Sequence, residues 1–293
     1  MDVASTVRLF LLAAIWGASF LFMRIGVPVF GPIALILLRV SIAACFLWLA
    51  SLWLRKKLQL GRYWKHYLTI GVLNSALPFL LFAYAAQTLS ASLLSIFNAT
   101  APLFGALIGA LWLRTPMSRS ILCGLVCGFA GVAVLASQGA NLAGDGDGWL
   151  ALAAGLLAPL LYGLASTYTK AAASSASPFG NAHGSMWMAT LTVIPLLFFA
   201  PLREAPSAAD WSAVGTLGIL CTGAAYLLFF RLIEDVGPTR ALSVTFLIPV
   251  FGVLWGALFL DEAIGWETLF GGMLILAGIT LTGGMLKLPG GRS

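Results

Sequence analysis

Pro249-Val-Phe-Gly-Val-Leu-Trp-Gly-Ala-Leu-Phe-Leu260 has a diverged second copy in the chain, Pro102-Leu-Phe-Gly-Ala-Leu-Ile-Gly-Ala-Leu-Trp-Leu113. Eight of the twelve positions are identical, at an offset of 147 residues. The same offset pairs Gly71 with Gly218, Phe82 with Phe229, Gly124 with Gly271 and Gly131 with Gly278. Upstream the offset is 146, pairing Trp16-Gly17 with Tyr162-Gly163, Arg24 with Lys170, and Pro32 with Pro178. An internal repeat dictates architecture before any local reading does. The chain therefore divides into a first half over 1–139, a linker over 140–147 and a second half over 148–293.

Composition sets the solvent. Hydrophobic residues make up 60% of the 293-residue chain and charged residues 9%, where a soluble domain carries about 25% charged residues. With a mean hydropathy of +0.99, the chain reads as an integral membrane protein. The net charge of +6 does not point to nucleic acid, because the cations sit in short loops between apolar runs. Cys45, Cys123, Cys127 and Cys221 all lie inside apolar segments and read as small core residues.

A span needs about 20 apolar residues. Ten segments qualify, near 7–26, 32–54, 66–88, 91–113, 118–137, 148–170, 179–201, 211–233, 238–260 and 265–286. The runs are continuous rather than alternating, which excludes a β-barrel. With the N-terminus inside, thirteen Lys and Arg fall on the cytoplasmic side, from Arg8 through the Arg55–Lys65 loop to Lys287 and Arg292. Only Arg24 and Arg203 fall outside, and Arg39 lies within a span. This bias orients the protein with both termini cytoplasmic. Five spans per half is an odd number, so the second half enters the membrane from the opposite side. The predicted fold class is all-α integral membrane, ten transmembrane helices built as two inverted five-helix repeats. In transporters such repeats hold the substrate near the midplane, between the halves.

The paired Pro-x-Phe-Gly runs, the Asp261-Glu262 that follows the second, and Trp16-Gly-Ala-Ser-Phe20 resemble the drug/metabolite transporter superfamily, EamA type. Within it the chain is similar to the bacterial aromatic amino-acid exporters. The resemblance covers nearly the whole chain. It implies an inner-membrane exporter of small metabolites with a central cavity between the halves. One departure is plain: the first half has Arg114-Thr115 where the second has Asp261-Glu262.

Prolines inside spans free backbone carbonyls that lipid cannot satisfy. Polar residues stand four before three of them: Asn74 before Pro78, Asn98 before Pro102, Thr245 before Pro249. These residues read either as helix–helix glue or as a cavity lining. Matched in the two halves, Pro102 and Pro249 are the expected hinges. Trp16, Ser19 and Phe20 share a stretch of span one, and Tyr162 with Ser166 occupies the matching stretch of span six. His183 with Trp187 and Thr222 with Tyr226 are further pairs at one-turn spacing. All these residues, with Asn74, Pro78, Asn98 and Thr245, form the expected substrate site. Trp48, Trp53, Tyr63, Trp64, Tyr67, Trp211 and Trp266 read as an interfacial belt.

Arg39 either snorkels to the outer interface or faces the cavity and attracts a carboxylate. Asp261 and Glu262 read as partners of the dipole of span ten. No phosphate loop, metal-ligand cluster or catalytic triad is legible, so no enzyme activity, cofactor or metal is expected. The expected partners are a small-molecule substrate and the lipid bilayer. All ten acids fall in tails, loops or last turns of spans, which leaves His183 as the lone group titrating near neutrality at depth. The expected function is export of aromatic or other neutral amino acids by a facilitator or exchanger. The alternative is another small cargo, such as a cationic drug or a purine, with proton coupling through His183.

Overall fold

A computed structural model describes residues 2–114, 117–142, 147–199 and 205–283. Part of the expected linker, Thr115, Arg203, Glu204, Lys287 and Arg292 lie outside the described residues. Among the described residues the chain is helical, with no strand. Its main helices are α1 (Val3–Trp53), α2 (Leu60–Ala85), α3 (Ala91–Leu113), α4 (Arg119–Leu142), α5 (Asp147–Ala172), α6 (Pro178–Phe199), α7 (Ala208–Val236), α8 (Val244–Leu260) and α9 (Trp266–Thr282). Seven of them, α1 to α7, are long and apolar enough to cross a membrane, and α8 and α9 are shorter apolar helices.

α1 has 51 residues, about 75 Å at 1.5 Å per residue, more than twice a bilayer core of about 30 Å. It is broken at Gly31, whose φ of 69° and ψ of 164° are not helical. A residue with a side chain resists that φ. Pro32 follows without an N–H to continue the ladder. α1 is thus two apolar arms, 3–30 and 32–53. Large apolar side chains such as Leu111, Val126, Leu258 and Met273 stand exposed on the outer surface, as lipid-facing helices require. Cys45 and Cys123, expected in the core, are also exposed. Tyr67, expected at the interface, is buried against Gly184 of α6, where a Cβ would sit 2.4 Å from its ring.

Glycines set the closest helix crossings, as they do where lipid gives no hydrophobic drive for association. A Cβ on Gly124 of α4 would sit 2.7 Å from the Gly278 carbonyl oxygen of α9, and one on Gly131 2.6 Å from that of Gly271. The partner falls in number as the residue rises, so α4 and α9 pack antiparallel. Gly17 of α1 backs onto Gly252 of α8, and Gly163 of α5 onto Gly105 of α3. Gly71 of α2 lies on the Ser185 carbonyl of α6, and Gly218 of α7 on the Arg39 carbonyl of α1.

Two helices widen locally. α2 runs as π-helix over Val72–Ala76 and α7 over Ile219–Ala224. π-Turns recur at functional sites. Pro78 follows the first, where its ring crowds the Asn74 carbonyl. The matching residue after the second is Ala225, so α7 forms its π-segment without a proline. In α7 the Thr222 hydroxyl donates to the Leu217 carbonyl, five residues back, at 2.9 Å.

The two expected hinge prolines sit differently. Pro102 occupies the first turn of the segment Ala101–Leu113, after α3 breaks at Thr100. A missing N–H costs nothing there. Pro249 is inside the continuous α8. Glu262 corrects the dipole expectation. α8 ends at Asp261 with a left-handed φ of 51°, which turns Glu262 back toward α3. Its carboxylate accepts from the Ala91 N–H at 2.6 Å, the Ser92 N–H at 3.0 Å and the Ser92 hydroxyl at 2.5 Å. It therefore complements the N-terminus of α3 rather than of the helix that follows it.

Candidate functional site

A cavity of about 420 Å³ lies among α1, α2, α3, α5, α7 and α8, within the range of about 300–1,000 Å³ usual for small-molecule sites. Trp16, Ser19 and Phe20 line it from the first arm of α1. Asn74 enters from the π-segment of α2 and Thr222 from that of α7. Asn98 and Pro102 come from α3, Tyr162 and Ser166 from α5, Tyr226 from α7 and Thr245 from α8. π-Turns present Asn74 and Thr222, and Asn98 lies beside the break at Thr100, whereas Ser19, Tyr162 and Ser166 enter from regular helical turns.

Aromatic rings form one wall. Trp16 tilts on Phe229 at 5.2 Å between centroids, Phe20 meets Phe82 edge-on at 5.4 Å, and Phe82 lies 6.3 Å from Tyr162. Edge-on and offset ring contacts are favourable and hold their partners in place. The wall thus offers fixed aromatic area beside a few polar groups.

Arg39 resolves to the cavity. It is 5% exposed and lines the space with Met23 and Phe79. Its Nε donates to the Thr222 hydroxyl at 3.0 Å, its Nη1 to the Met23 sulfur at 3.6 Å, and its guanidinium carbon stands 3.7 Å over the Phe79 ring. The helix does not carry the side chain to the outer interface, because the second arm of α1 packs this turn against α7 at Gly218.

Pro78, His183, Trp187 and Pro249 are not in the lining. His183 is 1% exposed, accepts from the Trp187 indole N–H at 3.0 Å, and meets the Phe179 ring edge-on at 5.8 Å. The two residues do share a helical face, but that face turns into the packing of α6. Spacing tells which side chains lie together, not which way they point. Pro78 and Pro249 are buried between helices.

Sequence reasoning left out Met23, Phe79, Phe82, Cys221, Phe229 and the small or aliphatic liners Ala101, Leu242, Val244 and Ile248. A signal for two of them was present. The 147 offset maps Asn74 onto Cys221 and Tyr226 onto Phe79. Among the described residues no group of three or more His, Cys, Asp or Glu could hold a metal ion.

Comparison with known proteins places the chain among transporters. The model of the EamA-like transporter family matches twice, over residues 5–137 and 149–284. The uncharacterized transporter YoaV of Bacillus subtilis is 26% identical, over 90% of this chain and 91% of its own. The uncharacterized inner membrane transporter YedA of Escherichia coli is 28% identical, over 96% and 91%. A probable terminal-alkyne amino-acid exporter of Streptantibioticus cattleyicolor is 24% identical, over 91% and 89%. One solved crystal structure superposes with a TM-score of 0.67 at 17% identity, covering 96% of this chain and 98% of that one. The repeated family match spans both halves of the sequence, and the chain belongs to the EamA-like transporter family.

Proposed function

We propose that the protein exports small metabolites, foremost aromatic and other neutral amino acids, by alternating access between two inverted five-span halves. The two arms of α1 with α2 to α9 supply the ten spans. Support for the inversion comes from contacts that recur with partners exchanged. The repeat carries Gly17–Gly252 onto Gly163–Gly105, Gly71–Ser185 onto Gly218–Arg39, and Gly124–Gly278 onto Gly271–Gly131. The last pair joins two antiparallel helices, as a two-fold axis across them requires.

The observation that carries the reading is the cavity, whose lining comes from both halves in matched pairs such as Trp16 with Tyr162 and Asn98 with Thr245. Substrate sites at a repeat interface are what alternating access uses. The aromatic wall suits an apolar side chain, and the relative named as an amino-acid exporter supports both cargo and direction. The thirteen-to-two charge bias supports a plasma-membrane protein with both termini cytoplasmic. None of the described acids lines the cavity, and neither does His183. Proton-driven pumps use such buried relays, so the drive we assign is the substrate's own gradient.

The test is counterflow. Proteoliposomes loaded with unlabelled L-phenylalanine should draw in labelled phenylalanine with no ion gradient. Flux no greater than in protein-free liposomes, for phenylalanine and leucine alike, would remove the amino-acid cargo. Uphill accumulation driven by a pH gradient, and lost in His183→Ala, would replace the facilitator with a proton-coupled pump.

A further inference from the structure

We propose that Arg39 is the anchor for a carboxylate on the transported molecule, and that the site is built for a monoanionic group attached to an apolar or aromatic body. The choice of amino-acid probes below rests on the export reading; the anchor itself does not.

A guanidinium keeps its charge in a protein, and a cation far from water must be paired or solvated by something. Arg39 is 5% exposed. Its protein contacts are one hydroxyl, one thioether and one ring face. None of these is an anion. The ion pairs among the described residues involve Arg8 with Asp235 and Arg231 with Glu234 and Asp235, none of which lines the cavity. Nor does the second half supply compensation. The position matching Arg39 is Ser185, as their equivalent carbonyl contacts with Gly218 and Gly71 indicate, and Ser185 turns its hydroxyl to the Ala182 carbonyl.

The three contacts orient the group instead of neutralising it. Thr222 spends its own proton on the Leu217 carbonyl, so its oxygen is left to accept from Nε. That fixes one edge of the plane. Phe79 supports the guanidinium face at 3.7 Å, a favourable cation–ring contact. Beyond Nε and one Nη1 bond, the remaining N–H groups meet no acceptor among the described residues. A planar fork with free donors, opening on a cavity, matches a carboxylate in two-point geometry.

Charge then limits the class. Arg39 is the sole cation among the residues lining the cavity. One positive charge balances one carboxylate and leaves a phosphate monoester dianion half paired. Trp16, Phe20, Tyr162 and Tyr226 line the same space and offer the surface for the rest of the molecule.

The experiment uses the full chain in lipid nanodiscs and four probes: L-phenylalanine, L-phenylalaninamide, 3-phenylpropionate and 3-phenylpropanamide. Wild-type protein should bind at least one acid in preference to its amide by about 30-fold or more, the loss usual when a buried charge loses its partner. Arg39→Gln should collapse that ratio toward one by weakening the acid and sparing the amide. Arg39→Lys should keep the preference at reduced affinity, so a charged variant remains if the neutral one does not fold. The wild-type ratio needs no variant at all. Phenyl phosphate should bind more weakly than 3-phenylpropionate. Amides that bind as well as acids, an acid-to-amide ratio unchanged in Arg39→Gln, or no carboxylate binding to wild type would each overturn the anchor. If phenylalanine shows no counterflow while 3-phenylpropionate binds through Arg39, the amino-acid cargo falls and the anchor stands. If phenylalanine moves but the ratio ignores Arg39, the reverse holds.

Discussion

The π-segment of α2, Val72–Ala76, and that of α7, Ile219–Ala224, occupy matching places in the two halves, yet they carry different side chains. The first presents Asn74 and precedes Pro78; the second presents Cys221 and Thr222 and precedes Ala225. Each follows a glycine that lies on a carbonyl of the other half, Gly71 on Ser185 and Gly218 on Arg39. Backbone contacts are therefore repeated, while the chemistry is not: one crossing carries Ser185, outside the cavity lining, and the other Arg39, within it. Shared features are those a helical frame needs. Under the proposed export, the unshared features are where a cargo with two different ends would be read.

Breaking the frame should have the largest effect. In Gly131→Leu a bulky side chain would start 2.6 Å from the Gly271 carbonyl, and backbone cannot give way as a side-chain tip can. Folded protein recovered by size-exclusion chromatography should fall to near nothing. Gly215→Ala, where nothing lies within 4 Å, should leave recovery unchanged. The next effect comes from Glu262→Ala. It strips three donors at the start of α3 of their acceptor, a cost of about 1–3 kcal/mol, read as a drop of several degrees in Tm. Trp16→Ala and Tyr226→Ala test the lining without the frame. Each should slow counterflow about tenfold by removing a ring contact of roughly 1 kcal/mol and its buried area, with Tm nearly held. Smallest is Pro78→Ala. Since α7 forms its π-turn before Ala225, the α2 turn should persist, and Tm and flux should stay close to wild type. A large loss there would mean that the two π-segments have different causes.

Much of this frame was legible because it is written locally or by repetition. Continuous apolar runs mark helices in lipid, and a constant offset marks equivalent positions. Most of the polar and aromatic residues picked by one-turn spacing do line the cavity, among them Asn74, Asn98, Tyr162 and Thr245. His183 and Trp187 do not, because the direction of a helical face is a tertiary fact: both stand outside the lining, and His183 is 1% exposed. The fate of Arg39 depended on a partner 183 residues away, and that of Glu262 on partners 170 and 171 residues away. No periodicity carries such information. Cys221 is a different case: the offset that pairs the glycines also points from Asn74 to it.

The inverted pairing of the halves is the claim on which the exchange of access depends, and reporter-fusion topology measures it directly. Fusions after residues 60, 117 and 287 should report the cytoplasm, and fusions after 144 and 205 the outside. A cytoplasmic signal after residue 144 would place both halves in the same orientation and contradict the account.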